Sequence, residues 1–398
     1  RVVLIALLFF GTIINYVDRQ VLSLLKPTLA TEFHWGDAEF AHLASVSQIS
    51  AAAALLFVGW FIDRFGVKRV YAIAIALWSL AGMAHAFAAT IGEFVVARIV
   101  LIAAESVGTP AGVKSSALYL PLKERSPAIG IVNTGPNIGN ILAPLTVIPF
   151  AVMFGWRAAF IATGALGFIW LAFWIPGTRQ IAPVAGSEIA KGAKGVRWGE
   201  LLSDHKTWAI AGAKALSDMF WWFFTFWLPD LFNKVFHLSQ AELIGPTALA
   251  FTLAAMGALS SGFLMPALLN RGRSVNAARK QSMLLYALIV VPIPLALVAP
   301  NAWIAAVIIG MGLFAHQGFS TNIFGLTADA IPRARVASTI AFGAVAGNLA
   351  GAAIQEVKGA LTTAGIGYWP LFAGAACAYL LATLWVHIMI PVIEAAEE

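Results

Sequence analysis

Gly59-Trp60-Phe61-Ile62-Asp63-Arg64-Phe65-Gly66-Val67-Lys68-Arg69 is a charged string set between two long apolar stretches. It reads as a tight cytoplasmic hairpin between two membrane helices, because the rest of the chain is nearly free of charge. Of 398 residues, 60% are hydrophobic and 11% charged, and the mean hydropathy is +0.84. A soluble domain carries roughly 25% charged residues. The chain is therefore a membrane protein.

A spanning helix needs roughly 20 apolar residues, so the length allows about twelve spans. Outward from the hairpin, the apolar stretches fall at about 1–28, 40–64, 68–90, 92–121, 126–153, 157–176, 206–234, 240–270, 276–299, 302–331, 335–360 and 367–392. The longest polar interruption, rich in Gly, Ala and Lys, divides them in half. Within it, Trp198 to Leu202 reads as an interfacial helical turn. The predicted fold is an all-α membrane protein of twelve transmembrane helices, with an N-terminal six-helix bundle over 1–176, a cytoplasmic linker over 177–205 and a C-terminal six-helix bundle over 206–398. Arg1 already stands beside the first apolar stretch without an initiator Met, so residues are expected to precede it and no targeting signal can be judged.

The net charge of +6 follows from topology rather than from a nucleic-acid partner. One side of the predicted membrane collects Arg1, Arg64, Lys68, Arg69, Lys123, Arg125, Arg179, Lys191, Lys194, Arg197, Lys206, Arg271, Arg273, Arg279, Lys280, Arg333 and Arg335. The other side has only Lys26, Arg157, Lys234 and Lys358. This is the positive-inside bias, and it puts both termini in the cytoplasm. The single cysteine, Cys377, rules out an intrachain disulfide and is expected to pack in an apolar span.

The halves show faint internal parallels. Gly262 to Arg273 is a degraded counterpart of the hairpin, with Pro266 at the acidic position, and Trp156-x-x-x-Phe160 is echoed by Tyr368-x-x-x-Phe372. Repeats of this kind place a binding site near mid-membrane. The intramembrane prolines, Pro110 among them, read mostly as helix kinks that neighbouring groups re-satisfy.

Asp18, Arg19, Arg98, Glu105, Lys114, Lys214 and Asp218 fall inside predicted spans. At about 2.5–3.5 kcal/mol for each charge near the bilayer centre, their unpaired cost is on the order of 20 kcal/mol. They must pair, snorkel or line water. Thr12, Asn15, Tyr16, Arg19, Gln20 and Ser23 share one face of the first span, with Asp18 at its edge, and such a stripe lines a cavity or glues two helices. Arg19 is the expected carboxylate anchor, because guanidinium matches a carboxylate bidentately. Arg98 and Glu105 share a face of the fourth span about 10 Å apart along the axis. Glu105 there reads as a proton carrier or as half of a structural salt bridge. Lys114 reads as a snorkelling side chain.

Lys214 and Asp218 form an i, i+4 pair in the seventh span, followed on the same face by Trp221, Trp222 and Thr225; the pair either neutralises itself or faces a sugar with aromatic surface nearby. His316, Gln317, Ser320 and Thr321 share a face of the tenth span, with Asn322 about 100° round. His316 is a candidate substrate contact, and alone reads as a hydrogen-bonded spacer or a proton carrier. Gln48, Asn133, Asn137 and Asn348 add amides in three other spans. So many placed polar groups suit a polyhydroxylated ligand. No metal-ligand cluster, nucleophile–base pair or phosphate loop stands out, so neither an enzyme nor a cofactor is expected.

The hairpin resembles the Gly-x-x-x-Asp-Arg-x-Gly-x-Arg/Lys-Arg signature of major facilitator superfamily transporters. Asn15-Tyr16-Val17-Asp18-Arg19, the run from Lys214 through Asp218 to Pro229, Ala315-His316-Gln317-Gly318-Phe319-Ser320-Thr321-Asn322 and Gly155-Trp156-Arg157-x-x-Phe160 resemble the anion:cation symporter family within it, in particular the bacterial hexuronate transporters. The resemblance implies proton-coupled import of sugar-acid anions such as glucuronate or galacturonate by alternating access. It further implies a place in the bacterial inner membrane, with H+ as coupling ion and the lipid bilayer and an anionic sugar as the only partners. The protein is expected to work as a monomer. By the same resemblance Arg19 holds the carboxylate, Asp18 and Glu105 carry protons, Arg98 modulates them, and Tyr16, Asn133, Asn137, Trp222, Ser320, Asn322 and Asn348 contact sugar.

Gly59, Asp63, Arg64, Gly66 and Arg69 are expected to gate rather than bind, with the hairpin pairing near Pro332 to Arg335 of the other half. Gly135-Pro136-Asn137-Ile138-Gly139 is close to an element of drug/proton antiporters. That element keeps an organic-anion exchanger or a proton-driven drug antiporter as the alternative.

Overall fold

Every described segment of regular structure is helical, the form that lets a chain satisfy its backbone groups without water. The computed structural model describes residues 2–184 and 198–393. Arg1, Lys191, Lys194, Arg197 and the rest of residues 185–197 of the predicted linker lie outside the described residues, as do the side chains of Lys123 and Arg333. The chain divides into two compact units, Arg1–Ala193 with Leu238–Ala248 and Lys194–His237 with Leu249–Glu398.

The first unit contains α1 (Val2–Leu24), α2 (Lys26–Phe33), α3 (Asp37–Phe65), α4 (Val67–Ala84), α5 (Ile91–Glu105), α6 (Gly108–Tyr119), α7 (Leu122–Phe154) and α8 (Trp156–Arg179). The second contains α9 (Trp198–Ser203), α10 (His205–Phe236), most of α11 (Ile244–Asn270), α12 (Val275–Val290), α13 (Ala302–Ala330), α14 (Arg333–Thr363) and α15 (Trp369–Met389). Helix α9 covers the segment expected to form a helical turn.

Ten helical segments among the described residues are long and apolar enough to cross a bilayer. The chain is a multi-pass membrane protein. Two predicted spans take other forms. Residues 206–234 lie in α10, a single 32-residue helix in which Lys214, Asp218 and Asp230 interrupt the apolar run. Residues 92–121 are two helices, α5 and α6, parted at Ser106 and Val107. Pro110 accounts for the break, since it has no N–H to donate and its ring clashes with the carbonyl four residues back, that of Ser106.

Glycine shapes the turns and the contacts differently. Gly66 ends α3 at φ 84°, and Gly155 ends α7 at φ 88°. With ψ of 139° and 160° both sit in a region essentially closed to residues with a Cβ, so each makes a corner between two helices. Elsewhere glycine is a notch. A Cβ on Gly135 would stand 2.9 Å from Thr12 Cβ, and one on Gly139 would stand 2.7 Å from Tyr16 Cβ, so α7 lies directly on α1. In the second unit Gly347 and Gly351 of α14 make the same close approach to Asp218 and Trp222 of α10, at 2.5 and 2.6 Å. Small residues four apart are the usual device by which helices meet in lipid.

The internal parallel extends to packing. Contacts of α1 with α7, α4 with α8 and α4 with α5 recur as α10 with α14, α12 with α15 and α12 with α13. Trp156 and Phe160 meet edge to face at 6.1 Å, and Tyr368 and Phe372 do so at 6.5 Å. Tyr71, Trp78, Trp170 and Trp174 fill the core of the first unit.

Three placements correct the sequence reading. Cys377 is exposed on α15 rather than packed. Lys26 opens α2 fully buried, 2.6 Å from Asp37, and Lys358 is buried within α14 over the rings of Trp227 and Tyr368 at 4.2 and 4.6 Å. Neither is a loop cation, because each finds a carboxylate or aromatic faces inside its unit.

Candidate functional site

The polar stripe of α1 meets α5. Arg19 donates Nε to Glu105 Oε2 at 2.9 Å. The Arg19 side chain is 16% exposed, whereas that of Glu105 is wholly buried. Arg98, also buried, donates Nε to Ser47 of α3 at 2.9 Å and Nη2 to the backbone carbonyl of Arg19 at 3.1 Å. Helices α1, α3 and α5 are thereby stitched around two guanidinium groups and a carboxylate. Asp18 lies buried on the other side of α1, approached by the Thr163 hydroxyl of α8, and neither of its oxygens has a hydrogen-bond partner within geometric limits among the described residues. Of the residues predicted to couple protons and hold a carboxylate, only Arg19 keeps part of its side chain exposed.

The break after Glu105 is part of this geometry. Asn15, one turn before Arg19 on α1, donates Nδ2 to the Glu105 carbonyl at 3.1 Å. Tyr16 is half-buried and lies under the Arg19 guanidinium, 5.6 Å from its ring centre.

In the second unit Lys214 is held by Asp218 at 2.8 Å and donates to Ser320 of α13 at 3.2 Å. Trp222, one turn beyond Asp218 on α10, is half-buried with its ring against Gly351. Two predicted ligand contacts are committed elsewhere. His316 is stacked on Trp221 at 4.8 Å and hydrogen-bonded to Tyr379 at 3.0 Å, which makes it the buried spacer of the two readings. Asn322 donates to Ser282 and to the Gly318 carbonyl, both at 2.9 Å, and accepts from Arg279 at 3.3 Å, so it joins α13 to α12. Asn133 is exposed, Asn137 half-buried, and Gln48 and Asn348 are buried with a side-chain oxygen left unpartnered among the described residues.

A family profile described as Major Facilitator Superfamily matches residues 8–354. The chain belongs to the major facilitator superfamily. It is a transporter and not an enzyme. Within that superfamily it is 30% identical over 415 residues to a hexuronate transporter of Escherichia coli (strain K12), covering 99% of this chain and 96% of the relative. It is 28% identical over 305 residues to a galacturonate transporter of Dickeya chrysanthemi, covering 72% and 88%. Among solved structures, a D-xylose-proton symporter superposes with a TM-score of 0.78 at 14% identity, covering 98% of each chain, which shows the shared facilitator fold.

The facilitator hairpin is anchored inside its own unit. Asp63 accepts from Lys114 of α6 at 2.8 Å, while Lys68 donates to the carbonyls of Thr178 and Ile181 at the end of α8, both at 2.6 Å. Gly59, Arg64 and Arg69 are exposed. In the segment expected to meet the hairpin, Arg335 pairs with Asp204 at 3.1 Å. The antiporter-like glycines of this facilitator, Gly135 and Gly139, are the notches that seat α1.

Several polar residues of the facilitator escaped the sequence reading. Asn140 receives Gln20 at 3.1 Å, and Arg279 pairs with Asp329 at 2.8 Å. Asp230 accepts from Tyr368 and from Lys234. Asn140 and Gln20 are both intramembrane amides, a visible signal. Arg279 and Asp329 sat in stretches counted as span ends or loops, where a charge raises no question.

Proposed function

We propose that this transporter is a proton-coupled symporter that imports sugar-acid anions, hexuronates such as glucuronate or galacturonate, by alternating access. Its twelve transmembrane helices would form two six-helix bundles over 1–176 and 206–398, joined by the cytoplasmic linker 177–205. The reading places it in a bacterial inner membrane with both termini in the cytoplasm. It works there as a monomer with H+ as the coupling ion and no cofactor.

The observation that carries the reading is the Arg19–Glu105 pair, a partly exposed guanidinium neutralised by a buried carboxylate. A substrate carboxylate must compete with Glu105 for Arg19. Protonating Glu105 removes the counter-charge of Arg19, and an uncompensated charge in a largely buried setting is costly, so an incoming carboxylate is favoured in its place. Anion and proton then arrive together. The names of the curated relatives support the sugar-acid class. The drug-antiporter alternative rested on Gly135 to Gly139, and helix packing accounts for those glycines.

Reconstituted protein in proteoliposomes should accumulate labelled glucuronate or galacturonate under an inward proton gradient. Failure to bind or take up any sugar acid rejects the substrate class. Counterflow without proton dependence would favour exchange.

A further inference from the structure

Glu105 is held at two points by α1, through its carboxylate by Arg19 and through its backbone carbonyl by Asn15. The two clamps stand four residues apart on α1 and therefore on one face, one turn from each other. They differ in chemistry. The Arg19 bond is charge-assisted only while Glu105 is ionised and weakens on protonation, whereas the Asn15 bond is to the backbone and indifferent to protonation.

The carbonyl is within reach of Asn15 because α5 stops there. In an unbroken helix the Glu105 carbonyl would accept the N–H of Thr109. Pro110 breaks the helix, with α5 ending at Glu105 and α6 beginning at Gly108, and Asn15, itself buried, takes the carbonyl instead. Asn15 faces Gly108 across the joint, where an added Cβ would stand 3.7 Å from Nδ2.

We propose that Asn15 is a positioning residue for proton coupling. It sets the rotation of the Glu105 backbone at the Pro110 break, so that the carboxylate meets Arg19 and finds it again after each protonation. Without Asn15 the charged pair forms out of register, and Arg19 no longer holds the ionised carboxylate as firmly. The other charged groups that face Glu105 are Asp18 on α1 and Arg98 on α5, and neither substitutes for a clamp on the backbone. The inference rests on the proton-coupled reading above.

The test compares Asn15→Leu, which keeps the branched shape and removes the donor, with Asn15→Gln, which keeps the donor. Glucuronate uptake into proteoliposomes is measured against external pH, with counterflow as the readout that needs no net proton movement. Asn15→Leu should slow gradient-driven uptake about tenfold, the loss of one buried hydrogen bond, and move its pH profile about one unit alkaline. Counterflow should fall less than threefold, and Asn15→Gln should restore most of the profile. A profile identical to wild type, or an equal loss of counterflow that Asn15→Gln does not restore, overturns the proposal.

Should Asn15→Leu fail to fold, Pro110→Ala supplies the same test. It restores the N–H that the Ser106 carbonyl lacks, favours a continuous helix in which the Thr109 N–H competes with Asn15 for the Glu105 carbonyl, and should give the same alkaline move; an unmoved profile overturns the proposal there too. Wild-type uptake that ignores pH with every sugar acid defeats the coupling reading itself. Wild-type pH dependence that Glu105→Gln removes and Asn15→Leu leaves intact defeats only the role of Asn15.

Discussion

Arg19 reaches Glu105 at 2.9 Å across 86 residues of sequence, and only one of the two can be approached from outside. The guanidinium keeps an open edge while the carboxylate is sealed behind it. On the proposed function, an anion meets this cation first and has to displace the protein's own carboxylate.

Replacing that cation tests the anchor. Arg19→Ala should weaken glucuronate binding about 100-fold and Arg19→Lys about tenfold, since an ammonium keeps the charge and loses the bidentate fork. A thermal-shift titration with glucuronate, gluconate and neutral sugars reads the change. Equal responses to charged and neutral sugars would remove Arg19 from carboxylate recognition.

Glu105→Gln mimics the protonated state permanently. In the wild type, lowering external pH should raise uptake, because protonation of Glu105 releases Arg19. In the variant, uptake should no longer respond to pH, and labelled substrate should equilibrate without accumulating. Accumulation at the wild-type level would place the coupling group elsewhere.

The Lys214–Asp218 pair has side chains only 9% and 12% exposed. Lys214→Met leaves a nearly buried carboxylate unpaired and should cost about 3–5 kcal/mol, with the double change Lys214→Met/Asp218→Asn recovering most of it. Thermal unfolding of the single and double variants in detergent measures the coupling. Additive losses would show that the pair contributes no mutual stabilisation.

Three glycines should respond in different ways. Gly139→Ala drives a Cβ to 2.7 Å from Tyr16 and 2.8 Å from the Ile13 carbonyl, and overpacking of this kind costs about 1–3 kcal/mol. Gly66→Ala forces a side chain to φ 84° and should cost about 1–3 kcal/mol. Gly59→Ala should leave the melting temperature unmoved, since nothing lies within 4 Å of its added Cβ.

Asp63→Asn weakens an exposed contact to Lys114 that lies 2.8 Å away, so stability should hold while the balance of conformations shifts. Labelling of single cysteines placed along α1 and α10, with Cys377 removed, reports that balance. Unchanged labelling rates everywhere would count against the hairpin as a gate.

Helical class was legible because it follows from composition: 11% charge leaves a bilayer as the only medium, and a bilayer admits few backbone forms. The charged residues on α1, α5 and α10 were legible for a related reason. A charge in an apolar run is costly wherever it points, so its presence alone marks it for a partner. The hairpin signature, the superfamily and the corner at Gly66 were likewise visible as local patterns.

Partners were not legible, because they are set by helix rotation and by which helix lies beside which. Nothing in the chain order says that Arg19 meets Glu105 rather than Asp18 beside it, that His316 is shut between Trp221 and Tyr379, or that both ends of the Asn322 amide are already used. Pro110 was read as one kink among several, and only packing placed Asn15 against the carbonyl it exposes. The amino-acid sequence by itself determined the medium, the helices and the inventory of buried charge, since these depend on transfer energies summed along the chain. Tertiary structure alone decided which charges neutralise each other and which one stays open to a ligand, since a hydrogen bond depends on an ångström and an angle that no periodicity encodes.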